Sequence, residues 1–226
     1  MERGSEKILL IGDSSLLPRA ELAYAKTYPV LLKRQLPQCD VEVTAVPSNT
    51  SYKILKKIEA YTLYGFGPKY VVLHYGIADV YPRPYSNRIG TFLECSGLQA
   101  PVDRFLKRIG LYYRLGDWCG FSAVSLESFS RHTMEIVGEL RRRGAEKVIF
   151  VGIVKPDKIL LRSRTVDAKV QAYNKVFEIL ERQNNDVEYV NMYAIEDPSF
   201  TIWDGYHYTE KASQYLAHAL VRMLQC

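Results

Sequence analysis

Three short runs in this chain are apolar with no alternation: KILLIG at 7–12, KYVVLHYG at 69–76 and AEKVIFVGIV at 145–154. A strand that is apolar on both faces must be covered on both faces, which is the situation of a strand inside a parallel sheet. The segments between them carry helical periodicity or helix caps. LPRAELAYAKTYPVLLKRQL places Leu22, Ala25, Val30, Leu31 and Leu32 in a helix that Pro29 kinks or splits. DVEVTAV is a second strand, ended by Pro47, and SNTSYKILKKIEAYTLYG opens on cap-forming residues, repeats Ile54, Leu55 and Ile58 on one face and can end at Gly65. Strand, helix, strand, helix, strand is the rhythm of a doubly wound α/β protein.

The rhythm breaks at about 80 and resumes at about 125. The intervening stretch carries Pro82, Pro84 and Pro101, many aromatics and room for one short helix near 103–113. A stretch of this length with little structure of its own is expected to serve a function, either as a lid or as a homodimer surface. Beyond it, SLESFSRHTMEIVGELRRRG reads as a helix ended by Gly144, and VDAKVQAYNKVFEILERQN as another. DVEYVNMYA is a fifth strand, and TEKASQYLAHALVRMLQ a closing helix capped by Thr209. The expectation is a three-layer α/β/α sandwich on a five-stranded parallel sheet, one domain over residues 1–226 with an irregular insertion at about 80–125.

In such a sheet, sites lie beyond the carboxyl ends of the strands, near the point where strand order reverses. The first strand runs straight into Gly12, Asp13, Ser14 and Ser15. A serine hydroxyl there needs a base to take its proton and a third group to orient the base. The chain has four histidines. His132 and His218 fall within helices, and His74 closes the third strand and can face the site. His207 follows Asp204 by three residues in a polar loop before the last helix, so both side chains can turn into one cavity with Ser14. Taken singly, each feature is also an ordinary turn. Their placement at the first strand and before the last helix is what points to chemistry. Neither GxGxxG nor a glycine-rich loop ending in lysine follows the first strand, which argues against nucleotide binding by those motifs.

IGDSS at 11–15, DGYH at 204–207 followed by YTEKASQYLA, and the tyrosine–asparagine pair in VQAYNKVFEIL are similar to motifs of the SGNH, or GDSL-like, hydrolase superfamily. The resemblance runs over most of the chain and implies a flavodoxin-like fold. It also implies Ser14 as nucleophile, His207 as general base, Asp204 as its orienter, and ester or thioester hydrolysis, or acyl transfer, without a cofactor or metal. The middle motifs depart from the pattern. Ser48, in VPSNTS, stands at the position of a glycine whose amide would join that of Ser14 in the oxyanion hole. Ala78, in GIAD, stands where the family has an asparagine donor. Asn49 is the first candidate for a substitute donor, with His74 and Arg83 able to reach in from the third strand. The expected activity is that of a carboxylic ester hydrolase; the alternatives are an acyltransferase with the same residues and a non-catalytic binding protein.

Asp79, His74, Arg83, Arg162 and Arg164 are candidate substrate contacts, the arginines because a guanidinium suits a carboxylate or phosphate. With 17 tyrosines and these arginines, the expected substrate is a small polar metabolite or sugar ester. The net charge of +5 is modest, and the Arg141–Arg143 run is flanked by Glu139 and Glu146 with no interleaved aromatics, which argues against nucleic acid. The opening residues form neither a signal peptide nor a membrane span. Cys39, Cys95, Cys119 and Cys226 have no metal-binding spacing; free thiols in a reducing, cytoplasmic setting are the expectation.

Overall fold

A computed structural model describes residues 6–61, 67–158 and 162–224. The expected helix end at Gly65, and Cys226, lie outside the described residues. Strands β1 (Lys7–Gly12), β2 (Asp40–Ala45), β3 (Tyr70–His74), β4 (Lys147–Val151) and β5 (Val187–Val190) form one sheet in the order β2-β1-β3-β4-β5. All four pairings are parallel. The chain leaves β1 for the β2 edge and then crosses back to β3, so order reverses on either side of β1. In register, Gly12 lies between Ala45 and His74.

The apolar runs divide by parity, because successive strand side chains point to opposite faces. Leu9, Ile11, Val71, Leu73, Val148 and Phe150 meet the layer formed by α2 (Ser51–Tyr61), α7 (Leu126–Arg142) and α8 (Val166–Gln183). Ile8, Leu10, Val72, Ile149 and Val151 meet α1 (Tyr28–Gln35) and α9 (Glu210–Leu224). This is the three-layer sandwich that the sequence implies. The short α3 (Ile77–Val80) follows β3 directly. The Thr209 hydroxyl caps α9 by accepting from Ala212 N at 3.4 Å. Ser125 caps α7 by accepting from Ser128 N at 3.2 Å, and Arg141 at the other end of α7 forms a two-pronged pair with Asp186.

Two segments differ from expectation. The helix expected across 17–36 begins only at Tyr28, after a 3-10 turn at Tyr24–Lys26. Pro29 occupies its first turn, where a missing N–H costs nothing and the fixed φ suits helix entry, so it starts the helix rather than kinking it. The stretch 80–125 is not irregular: it forms α4 (Asn87–Cys95), α5 (Gln99–Arg108) and α6 (Leu111–Cys119). Its prolines do not oppose this, because Pro82 and Pro84 precede α4 and Pro101 falls in the first turn of α5. Gly110 and Gly120, at φ of 72° and 70°, bracket α6 with the left-handed turns that end helices.

The α2–α7–α8 layer is rich in rings. Phe177 of α8 stacks on Phe150 of β4 with centroids 4.6 Å apart and meets the edges of Tyr75 and Phe129. Phe177 is fully buried, so Phe177→Ala leaves a cavity among rigid neighbours. We expect a loss of about 3–5 kcal/mol in unfolding free energy, read from urea denaturation. A loss below about 1 kcal/mol would contradict this packing.

Candidate active site

At the end of β1 the chain has no room for a side chain. A Cβ on Gly12 would lie 2.3 Å from the carbonyl oxygen of His74 and 2.2 Å from Leu16 Cδ1. The next amide, Asp13 N, donates to that same carbonyl at 3.1 Å. Asp13 is buried; its carboxylate accepts from Ser15 N at 2.8 Å and caps the 3-10 turn Ser14–Leu16. Burial raises its pKa against the pull of that bond. The turn buries Ser15 and Leu16 and leaves Ser14 half-exposed at the carboxyl edge of the sheet.

Ser14 Oγ lies 2.8 Å from His207 Nε2, and His207 Nδ1 lies 2.6 Å from Asp204 Oδ2. The other Asp204 oxygen accepts from the amides of His207 at 3.0 Å and Tyr206 at 3.2 Å. The loop curls this tightly because Gly205 takes φ of 82° against the backbone of Asp157, where a Cβ would lie 1.8 Å from the Asp157 carbonyl oxygen. Burial works to raise the Asp204 pKa, but the hydrogen bonds from the His207 ring and from the two amides hold it below the ordinary carboxylate value. An ionised Asp204 keeps the proton on Nδ1 and leaves the Nε2 lone pair facing the serine.

Ser14, Ser48, Ala78, Tyr81, Arg83 and Tyr206 line a cavity of about 480 Å³. Ser48 adopts φ of 55°, the left-handed backbone that a glycine takes most readily. Ala78 offers no side-chain donor. Asn49 does not supply one: it is fully buried, and its Nδ2 donates to the Gly12 carbonyl at 3.1 Å, tying its loop to the end of β1. His74 lies beneath the site, with Nδ1 3.0 Å from the Tyr28 hydroxyl and its ring between Tyr28 and Tyr208. Burial, with a smaller contribution from the charge of His207, pushes its pKa down to about 3, so it is neutral. Of the three candidate arginines, Arg83 lines the cavity, whereas Arg162 and Arg164 are exposed and outside it.

Asp79 does not reach the cavity either. It is buried and accepts from the Ser51 hydroxyl at 2.6 Å and the Ser51 amide at 2.9 Å. Ser51 Oγ also lies 3.0 Å from His132 Nδ1. Serine, histidine and aspartate thus meet a second time, but in a different order: the carboxylate holds the hydroxyl rather than the imidazole, and Ser51 is fully buried. His132 faces an adjoining cavity of about 520 Å³, which shares Thr50, Lys53, Arg83, Glu94 and Gln99 with the first. Neither this network nor Arg19, Lys53 and Lys107 was legible in the sequence. Arg19 donates to the Ser14 carbonyl at 3.3 Å and contacts His207 Nε2. Among the described residues no group of His, Cys, Asp and Glu could hold a metal ion.

No family model matches the sequence, and no curated protein matches it. Solved structures do match its fold. The lipase/acylhydrolase from Enterococcus faecalis is 17% identical over 97% of this chain and 95% of its own, with a TM-score of 0.66. A member of the lipolytic protein G-D-S-L family from Veillonella parvula is 12% identical over 96% of this chain and 97% of its own, with a TM-score of 0.63. The acetyl xylan esterase AlAXEase is 16% identical over 96% of this chain and 98% of its own, with a TM-score of 0.64. At these identities the likeness is one of fold.

Burial, against the Ser51 hydrogen bonds and with help from the charge of Asp13, pushes the Asp79 pKa from 3.8 up to about 7. Between those values folded Asp79 keeps a proton that the unfolded chain has lost, so unfolding free energy falls as pH rises through that window. Asp79→Asn cannot titrate, and we expect it to flatten the fall, as read from urea denaturation across the window. An unchanged slope would show that Asp79 is ionised in the folded protein throughout.

Proposed function

We propose that this chain is a serine esterase of the SGNH, or GDSL-like, type, with Ser14 as nucleophile, His207 as base and Asp204 as the group that orients it. The observation that carries this reading is the polarity of the hydrogen-bond chain: carboxylate to Nδ1, Nε2 to hydroxyl, and hydroxyl beside an open cavity at the carboxyl edge of β1. His207 takes the hydroxyl proton as Ser14 Oγ attacks the acyl carbonyl, then gives it to the departing alcohol. Water activated by the same nitrogen releases the acid. The amides of Ser14 and Ser48 are the donors for the oxyanion. With Ala78 in place of a third donor, the expected rate is reduced, since one such donor is worth about 2.7–4 kcal/mol.

The walls support a small polar ester over a long acyl chain, because Lys53, Arg83, Glu94, Asp103 and Lys107 all face the cavity. A sugar ester fits that lining. Glu94, Gln99, Asp103, Lys107 and Tyr112 come from α4–α6, which supports a covering role for that segment. On its outer side Phe92, Phe105 and Trp118 are exposed, and an apolar surface of this kind also suits a second copy of the chain. Among the described residues no helix is long and apolar enough to cross a membrane. Among the same residues Cys39, Cys95 and Cys119 are free, and free thiols suit a cytoplasmic setting.

The test is turnover of para-nitrophenyl acetate. Ser14→Ala is expected to abolish it. Asp204→Asn, which lets the imidazole adopt the wrong tautomer, is expected to lower kcat by roughly 10⁴. Ser51→Ala should retain turnover. Equal rates for wild type and Ser14→Ala would refute the assignment, and free acid as the product, with polar alcohols present as acceptors, separates hydrolysis from acyl transfer.

A further inference from the structure

Two donors converge on one lone pair. With Asp204 holding the proton on Nδ1, His207 Nε2 has a single acceptor site, and both the Ser14 hydroxyl and the Arg19 guanidinium contact it. A guanidinium donates and does not accept. While it occupies Nε2, that nitrogen cannot accept the proton of Ser14. Among the described residues the Arg19 side chain makes one further hydrogen bond, the long one to the Ser14 carbonyl, at 3.3 Å. Among the described residues Arg19 forms no salt bridge. Neighbouring Glu21 accepts instead from Trp203 Nε1 at 2.8 Å; the buried Asp13 carboxylate feels the Arg19 charge but makes its hydrogen bond to Ser15 N and no ion pair with Arg19. A half-buried guanidinium with no carboxylate in ion-pair contact, set against a catalytic base, keeps its fork open to an anion.

Resting on the esterase reading, we propose that Arg19 caps His207 in the free protein and is drawn off it by an anionic group, carboxylate or phosphate, on the alcohol half of the ester. The alcohol half follows from the chemistry of His207, because Nε2 delivers its proton to the departing alcohol and a group beside Nε2 lies on that side of the scissile bond. A guanidinium paired two-pronged with a carboxylate or phosphate is held more strongly than one shared between an imidazole nitrogen and a distant carbonyl. Binding of the correct substrate then uncovers the base that its own reaction needs, and a neutral ester leaves the cap in place.

The test compares phenyl acetate with phenyl acetates bearing a meta-carboxylate or a meta-phosphate, on wild type, Arg19→Ala and Arg19→Lys. Wild type is expected to prefer at least one anionic ester, and which one identifies the group. Arg19→Ala is expected to lower kcat/KM for that ester by about 10- to 100-fold, the worth of a charged hydrogen bond, and to raise it for phenyl acetate by about 2- to 10-fold, the worth of an ordinary one. Arg19→Lys, which keeps the charge but not the fork, falls between. Parallel loss on all three esters would overturn the proposal in favour of a structural role, as would a wild type indifferent to charge. A second measurement does not depend on turnover: binding of meta-acetamidobenzoate or meta-acetamidophenyl phosphate, against neutral acetanilide, to Ser14→Ala with and without Arg19→Ala. Arg19-dependent preference for an anion upholds recognition even if no ester is cleaved, which would count against the esterase reading alone; equal binding with and without Arg19 overturns it.

Discussion

The close approach of Gly12 to the carbonyl of His74 decides where everything else in the site can stand. β1 lies between β2 and β3, and its last residue is held from several sides. Val46 N donates to the Gly12 carbonyl at 3.2 Å, Asn49 Nδ2 donates to the same oxygen, and Asp13 N donates back to His74. With no side chain at position 12, the chain can turn at once into the Ser14 turn instead of running on as strand. The buried and neutral His74 beneath it stays packed between two tyrosines, where a charged ring would be costly to desolvate.

The second requirement comes from the far end of the chain, almost two hundred residues later. Gly205 lets the loop fold onto Asp157, and that fold brings Asp204 and His207 into line with Ser14. The neighbouring Ser51, His132 and Asp79 show why composition alone does not make a catalytic set. There the aspartate accepts from the serine, so it neither orients the imidazole nor frees a base. It joins the start of α2 to α3 instead, and so steadies the loop that carries Ser48.

The sheet and the Ser14, Asp204 and His207 cluster could be read from the sequence because each has a local signature. Uninterrupted apolar runs need cover on both faces, and polar turns immediately follow or precede regular elements. The Pro29 and 80–125 segments misled for one shared reason. A proline reads as a breaker unless its position within a helix is known, and both Pro29 and Pro101 fall in first turns. Asn49 could be placed near the site from sequence, but which way its amide points is set by the Gly12 carbonyl, a tertiary partner. Arg19 carries no periodicity and no motif. Its contact with His207 exists only because two ends of the chain meet.

The central claim is that Ser14, and not the nearby Ser51, is the activated hydroxyl. Labelling with a serine-reactive phosphonate, followed by digestion and mass spectrometry of the peptides, addresses it directly. A single adduct on the peptide containing Ser14, lost when His207 is replaced by glutamine, is the predicted result. An adduct on Ser51, or the same labelling of Ser14 without His207, would contradict it.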